Sequence, residues 1–291
     1  MRILVLGVTG MLGSALFRVM AHRSTFEVYG TVRSEDGARY FSDRAAGQVI
    51  SGVDVENQDS LLRAFSIGRP EVVVNCIGLV KQLADAKDPL LAVPINTLFP
   101  HRLARLCDVV GARLIHISTD CVFSGSKGLY LESDFPDADD LYGRTKLLGE
   151  VDYPNAITLR TSIIGHEVVG GRSLLGWFLA QHGSIKGFKK AVFSGLPTVE
   201  LSRVVRDVVL PRPALRGVYH VAAQPIDKYA LLRLVAKVYD KQIEIVPDVS
   251  LVIDRSLNAE RFRLATGYVA PAWPELVTGM HEFHKLCEGE G

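Results

Sequence analysis

The sequence predicts an α/β fold, a doubly wound parallel sheet followed by a smaller second lobe. Three observations carry that expectation. Short continuous apolar runs alternate with stretches of helical spacing through the first half of the chain. A glycine-rich turn joins the first run to the first helix. Beyond residue 165 the alternation gives way to shorter segments punctuated by proline.

Ile3-Leu4-Val5-Leu6 is an unbroken apolar run, as expected of a strand buried on both faces. Met11 to Ala21 has helical spacing, and His22 and Arg23 close it with cations suited to the negative end of the helix dipole. Phe26 to Val32 reads as a second strand, Leu61 to Ser66 as a short helix and Glu71 to Asn75 as a third strand. Asn96 to Val110 predicts a helix with Leu98, Leu103 and Leu106 on one side. Ala112 to Ser118 predicts a strand, Leu141 to Val151 a helix and Ala156 to Ser162 a further strand. Strands and helices in this order wind a parallel sheet by right-handed crossovers. In the second half Leu174 to Gln181, Ser202 to Leu210, Tyr229 to Tyr239 and Trp273 to Leu286 read as helices, and Val192-Phe193 and Gly217 to Val221 as short strands. The first domain is therefore expected over residues 1–165, with returning segments near 192–222, and the second lobe mainly over 166–291.

Composition narrows the function. Of the 291 residues 48% are hydrophobic and 22% charged, as in soluble globular proteins with a large core. Lys and Arg number 33 against 32 Asp and Glu, a net charge of +1, so there is no electrostatic footprint for nucleic acid. No apolar segment is long enough to span a bilayer, and Met1 to Gly7 reads as a core strand and not as a leader, which predicts a cytoplasmic protein. Cys76, Cys107, Cys121 and Cys287 form no CxxC pair and no zinc-ligand spacing; reduced, mostly buried thiols and no metal site are expected.

Gly7-Val8-Thr9-Gly10-Met11-Leu12-Gly13 lies between the first strand and the first helix, with GxxGxxG spacing. Glycines there permit a tight turn and let backbone approach a pyrophosphate, which the helix N-terminus attracts. Thr31-Val32-Arg33-Ser34 ends the second strand with Arg33 where NAD-specific proteins usually carry an acid. A guanidinium favours the 2′-phosphate of NADP, although an exposed surface arginine is the plainer alternative. Asp54, in Gly52-Val53-Asp54-Val55, either accepts a bond from an adenine amino group or caps a turn.

Tyr142-Gly143-Arg144-Thr145-Lys146 sets a phenol and an ammonium four residues apart on one helix face. The ammonium is expected to lower the phenol's pKa and make it a proton donor to a carbonyl that receives hydride. Ile117-Ser118-Thr119-Asp120 ends the fourth strand, at the sheet edge where such folds bind ligands, and Thr119 can donate to the same carbonyl oxygen. His281 and His284 are expected on a solvated helix face. The acidic run Asp134, Asp137, Asp139 and Asp140 is expected to cap the helix that follows.

Taken together, GVTGMLG at 7–13, NCIG at 75–78, INTLFP at 95–100, ISTDCVFSG at 117–125, YGRTKLLGE at 142–150 and RTSIIG at 160–165 resemble the extended short-chain dehydrogenase/reductases. With LPT at 196–198, GVYHVA at 217–222 and RSLN at 255–258, the resemblance is to the dTDP-4-dehydrorhamnose reductase family and covers nearly the whole chain. It implies a Rossmann-type domain, Thr119, Tyr142 and Lys146 as the catalytic set, and reduction of a nucleotide-linked 4-keto-6-deoxy sugar in polysaccharide biosynthesis. It implies NADP(H) as the preferred cofactor, with NAD(H) possible. Contacts would come from Gly7, Thr9, Gly10, Met11, Leu12, Gly13, Arg33, Asp54, Val55, Cys76, Ile77, Gly78, Asn96 and Lys146. Asp120, Cys121, Val122, Arg203, His220 and Arg255 are the implied substrate contacts, and a homodimer is one possible assembly. Two departures bear on the chemistry. The acid that follows Asp120 in related dehydratases is replaced by Cys121, which disfavours loss of water. Epimerising relatives carry a cysteine there, so Cys121 is either a packed thiol or a proton carrier beside the ketone. A third alternative is a non-catalytic NADP-binding regulatory protein.

Overall fold

The computed structural model of the chain describes residues 1–22, 25–41, 48–79 and 87–288. Arg23, read above as closing the first helix, lies outside them.

The first six strands are β1 (Arg2–Leu6), β2 (Glu27–Thr31), β3 (Val49–Ile50), β4 (Val72–Asn75), β5 (Arg113–Thr119) and β6 (Ala156–Thr161). Further on come β7 (Ile163–Ile164), β8 (Ser184–Phe188), β9 (Ala191–Phe193), β10 (Leu196–Pro197) and β11 (Gly217–His220). The seven-stranded sheet runs β3-β2-β1-β4-β5-β6-β11, with every neighbouring pair parallel. Chain order reverses between β1 and β4, and the crevice at that reversal opens at the strands' C-terminal ends. β1 shows why both faces are covered. Ile3 and Val5 pack into one apolar cluster and Leu4 and Leu6 into another, all four fully buried.

The helices flanking this sheet are α1 (Met11–Ala21), α2 (Gln58–Gly68), α3 (Phe99–Val109) and α4 (Leu141–Leu148). α2 is longer at both ends than its apolar spacing suggests; at its N-terminus the Asn57 side chain caps it by accepting from Ser60 N at 3.1 Å. The helix expected from Asn96 starts earlier, at Pro89, and passes through a π-type segment at Val93–Leu98 that contains Asn96. Asp140 caps α4 by accepting from Gly143 N at 2.7 Å. Asp134 pairs with Lys127, and Asp137 accepts from Ser124, so these two acids hold the preceding loop.

The second lobe contains α5 (Leu174–Ala180), α6 (Thr198–Arg203), α7 (Lys228–Val238), α8 (Glu260–Thr266) and α9 (Trp273–Glu288). Its strands add β12 (Ile226–Asp227), β13 (Glu244–Asp248) and β14 (Ile253–Asp254), grouped with β7 to β10 into small sheets of two or three strands. β9 belongs to one of these small sheets, whereas β11 joins the large sheet beside β6. The histidines of α9 are not on a purely solvated face. His284 stacks on His166 at 3.5 Å between ring centroids, and His281 lies 4.2 Å from the Tyr239 ring. Among the described residues no helix is long and apolar enough to cross a membrane.

Candidate active site

The turn after β1 is built for a close approach. Gly7 adopts φ +82°, a conformation that suits glycine, and an added Cβ would stand 2.8 Å from Ile77 Cγ1. A Cβ on Gly13 would collide with the Gly7 carbonyl, so α1 can pack this close to the turn only with glycine at position 13. Thr31 Oγ1 accepts from Gly7 N at 3.2 Å, and Gly10 N donates to Gly7 O at 3.0 Å. The result is a helix N-terminus at the mouth of the sheet reversal, a cradle with the shape and dipole for a diphosphate.

Around this cradle, Arg33 is exposed after β2, with no hydrogen bond or ion pair among the described residues. Asp54 is a turn cap, its Oδ1 accepting from Glu56 N at 3.0 Å, and Val55 lies beside it, half-buried. In the loop after β4, Asn75 Oδ1 accepts from Ile77 N at 3.1 Å, and its amide meets His116 Nδ1 at 3.1 Å. Cys76 is half-buried, and burial pushes its thiol up to about 12. Asn96 holds this loop from the π-type segment, Oδ1 accepting from Leu79 N at 2.9 Å, and a Cβ on Gly78 would lie 3.8 Å from Lys146 Nζ. A single inserted residue in a helix re-aims a side chain, which is why Asn96 faces the loop and not the helix's own surface.

The reacting end lies at the top of β5. Thr119 Oγ1 accepts from Cys121 N at 3.1 Å and donates to Asp120 Oδ1 at 3.2 Å, and its hydroxyl bears on the Tyr142 phenol. α4 can approach because Gly143 packs against the Cys121 carbonyl, where no Cβ would fit. Lys146, 5% exposed, donates from Nζ to Ile117 O at 2.8 Å. Burial pushes the lysine down to about 8, partly offset by Glu150 and Cys76. For Tyr142 the expectation from sequence is corrected. Its pKa is raised, burial being the main cause, with Cys121 and Asp120 adding to it and the Thr119 bond acting against it. The ammonium is bonded to a backbone carbonyl and not to the phenol, so Tyr142 is kept protonated.

The implied substrate residues divide. Asp120 is buried, its carboxyl raised by burial against the pull of Arg255 and of bonds to Cys121, Thr119 and Ser162. Burial, with Asp120 adding to it, pushes the Cys121 thiol up to about 12. Arg255 comes to the same place, Nε donating to Phe123 O at 2.7 Å. The other three go elsewhere. Val122 is fully buried in a cluster with Phe123, Tyr130, Ala222 and Leu257. His220 is fully buried too, its ring held between Tyr130 O at 2.9 Å and Arg160 Nη1 at 3.3 Å. Burial pushes it down to about 3, so it is a neutral core residue. Arg203 pairs with Glu200 at 3.6 Å on α6, with Nη1 beside Gly279 of α9. Strand alternation and helix phase turn these side chains away from the mouth.

One residue escaped the sequence reading. Lys228, at the first position of α7, is half-buried, and its ammonium faces Asp120, Cys121 and Arg255 with no hydrogen bond or ion pair among the described residues. Burial lowers its pKa. A lysine in a helix's first turn opposes the dipole, and that was the signal to read.

A wholly parallel sheet with a glycine cradle after β1 and a Thr–Tyr–Lys set after β5 defines a protein of the short-chain dehydrogenase/reductase type. The family model described as RmlD substrate binding domain matches residues 1–261, and the chain belongs to that family. It is 30% identical over 149 residues to methionine adenosyltransferase 2 subunit beta of Xenopus laevis, covering 51% of this chain and 41% of that one. To a probable low-salt glycan biosynthesis reductase of Haloferax volcanii, Agl14, it is 33% identical over 165 residues, covering 55% and 52%. The chain thus spans about half the length of the curated relatives it matches. A dTDP-4-dehydrorhamnose reductase of Bacillus anthracis solved with NADP has the same fold, with a TM-score of 0.78 at 18% identity over 97% of this chain and 99% of that one.

Proposed function

We propose that this protein is an NADP(H)-preferring reductase of a nucleotide-linked 4-keto-6-deoxy sugar, acting in the cytoplasm in the assembly of a deoxysugar. The observation that carries the reading is the Thr119–Tyr142 contact at the mouth of the sheet, one helical turn from the buried Lys146. The glycine cradle at 7–13, Arg33, the 75–78 loop, Asn96 and Lys146 would hold the dinucleotide, which supplies hydride to the carbonyl carbon when bound.

Thr119 Oγ orients the carbonyl oxygen by a hydrogen bond, and Tyr142, held protonated by burial, delivers the proton to that oxygen as charge develops on it. Lys146 lies one helical turn away as the nearest cation of the set and stabilises the phenolate left behind. Arg255 and Lys228 line the second-lobe side of Asp120 and offer donors to an anionic or hydroxyl-rich substrate.

The test is oxidation of NADPH or NADH by the purified protein with an enzymatically prepared dTDP-4-keto-6-deoxyhexose, repeated with Tyr142→Phe. Oxidation that favours NADPH and is lost in the variant supports the reading. Near-normal turnover by Tyr142→Phe overturns the mechanism. Tight NADPH binding without turnover on any nucleotide keto sugar makes it a binding protein.

A further inference from the structure

Tyr142, Lys146 and Glu150 recur every fourth residue, and each reaches β5 at a different level. Tyr142 meets the Thr119 side chain, Lys146 Nζ donates to Ile117 O at 2.8 Å, and Glu150 Oε1 accepts from Ser118 Oγ at 2.7 Å. Gly149, just past α4, allows the last of these, because it sits where a Cβ would strike the Asn96 carbonyl. Glu150 also takes a two-pronged bond from Arg160 of β6, at 2.7 Å from Nε and 2.6 Å from Nη2. Both side chains are almost wholly enclosed, at 6% and 7% exposed.

A buried ion pair is costly, and apolar replacements of equal volume are often as stable or better. Position supplies the reason for this one. Three described groups bear on Lys146 besides its own hydrogen bond. Cys76, from the loop after β4, is a thiol pushed up to about 12 and therefore uncharged. His116, from β5, is held well below its usual value by burial and by Lys146 and is neutral as well. Glu150 is the remaining one, and the only anion among them. Its carboxylate is fixed by three donors on two strands, so it cannot swing away when the site is occupied.

We infer that Glu150 is a positioning residue of this site, sustaining the charge of Lys146 and holding Ser118 so that Thr119 stays in register with Tyr142. The inference rests on the reductase reading for its consequence in turnover, but not for its consequence in cofactor binding.

The test uses the full chain with Glu150→Gln, Glu150→Asp and the double variant Glu150→Gln with Arg160→Gln. NADPH binding by fluorescence, turnover and thermal midpoint are followed from pH 6 to 10. In Glu150→Gln the alkaline limb of both binding and turnover moves to lower pH, and kcat at pH 8 falls tenfold or more with little change in KM. The double variant recovers thermal stability, since no lone guanidinium stays buried, but its limb remains displaced. Glu150→Asp, which keeps the charge and retracts it, shifts the limb less and in the same direction. A Glu150→Gln or a double variant with the wild-type limb and wild-type kcat overturns the inference and leaves the pair as a structural clamp. Should the wild type turn over no keto sugar, the reductase reading fails on its own, and the NADPH-binding limb still decides the role of Glu150.

Discussion

Gly143 of α4 packs against the backbone carbonyl of Cys121, closer than any side chain would allow. That contact sets Tyr142, the neighbour of Gly143, beside Thr119. Gly143→Ala is expected to cost about 1–3 kcal/mol of stability through overpacking. It should also lower kcat a hundredfold or more, because a displacement of one ångström misplaces the proton donor. Thermal unfolding and steady-state turnover check this; a stable, fully active Gly143→Ala would mean that α4 is free to shift.

Lys146 sets a pH limit. Its ammonium is charged below about 8 and loses the charge above it, so turnover and NADPH affinity should both fall as pH rises through about 8. Its effect on stability has the opposite sign. The folded value lies below the 10.5 of an ordinary lysine, so the folded chain releases a proton that the unfolded chain keeps, and stability from this group rises between about pH 8 and 10.5. Lys146→Met should therefore abolish turnover while raising stability at pH 7, by ~3 kcal/mol at most. A less stable, inactive Lys146→Met would show that the bond to Ile117 outweighs the burial penalty.

Lys228 is expected to act on the sugar nucleotide and not on the dinucleotide. Lys228→Gln should raise KM for the keto sugar about tenfold to a hundredfold, the loss of one charge-assisted bond, with NADPH affinity unchanged. An unaltered KM would return Lys228 to the surface of the second lobe.

Cys121 should prove dispensable for proton transfer. A thiol pushed up to about 12 holds almost no thiolate at neutral pH. Cys121→Ala is expected to keep turnover within a few-fold, and product formed in deuterium oxide should carry no solvent deuterium on the carbons flanking the reduced one. Deuterium there in the wild type, absent in the variant, would establish epimerisation.

Arg33 is expected to discriminate between the cofactors. Arg33→Ala should weaken NADPH binding about tenfold to a hundredfold and leave NADH nearly unaffected, as expected of a guanidinium placed for a 2′-phosphate. Equal losses for both cofactors would contradict that placement.

The features legible in the sequence are those decided locally. An apolar run such as Ile3 to Leu6 has the period of a doubly covered strand, and Gly7, Gly10 and Gly13 state their own backbone needs, so the parallel sheet and its cradle could be read directly. Tyr142 and Lys146 share a helix face by spacing alone, and Asp140 caps that helix by its chemistry. Tertiary structure decided what depends on distant partners. His220 and Val122 match the motif yet turn into the core, because strand and turn geometry, not residue type, chooses the face. The Tyr142 pKa is raised and not lowered because burial, with Cys121 and Asp120 adding to it, dominates at the phenol, while the Lys146 ammonium is bonded to Ile117 O, 29 residues away in sequence. Lys228 carries one local sign, a cation in a helix's first turn, and Glu150 none; both acquire meaning only when α7 and the end of α4 are folded against the top of β5. Burial and electrostatic environment are properties of the assembled fold, and one chain position does not reveal which charges the others will bring to it.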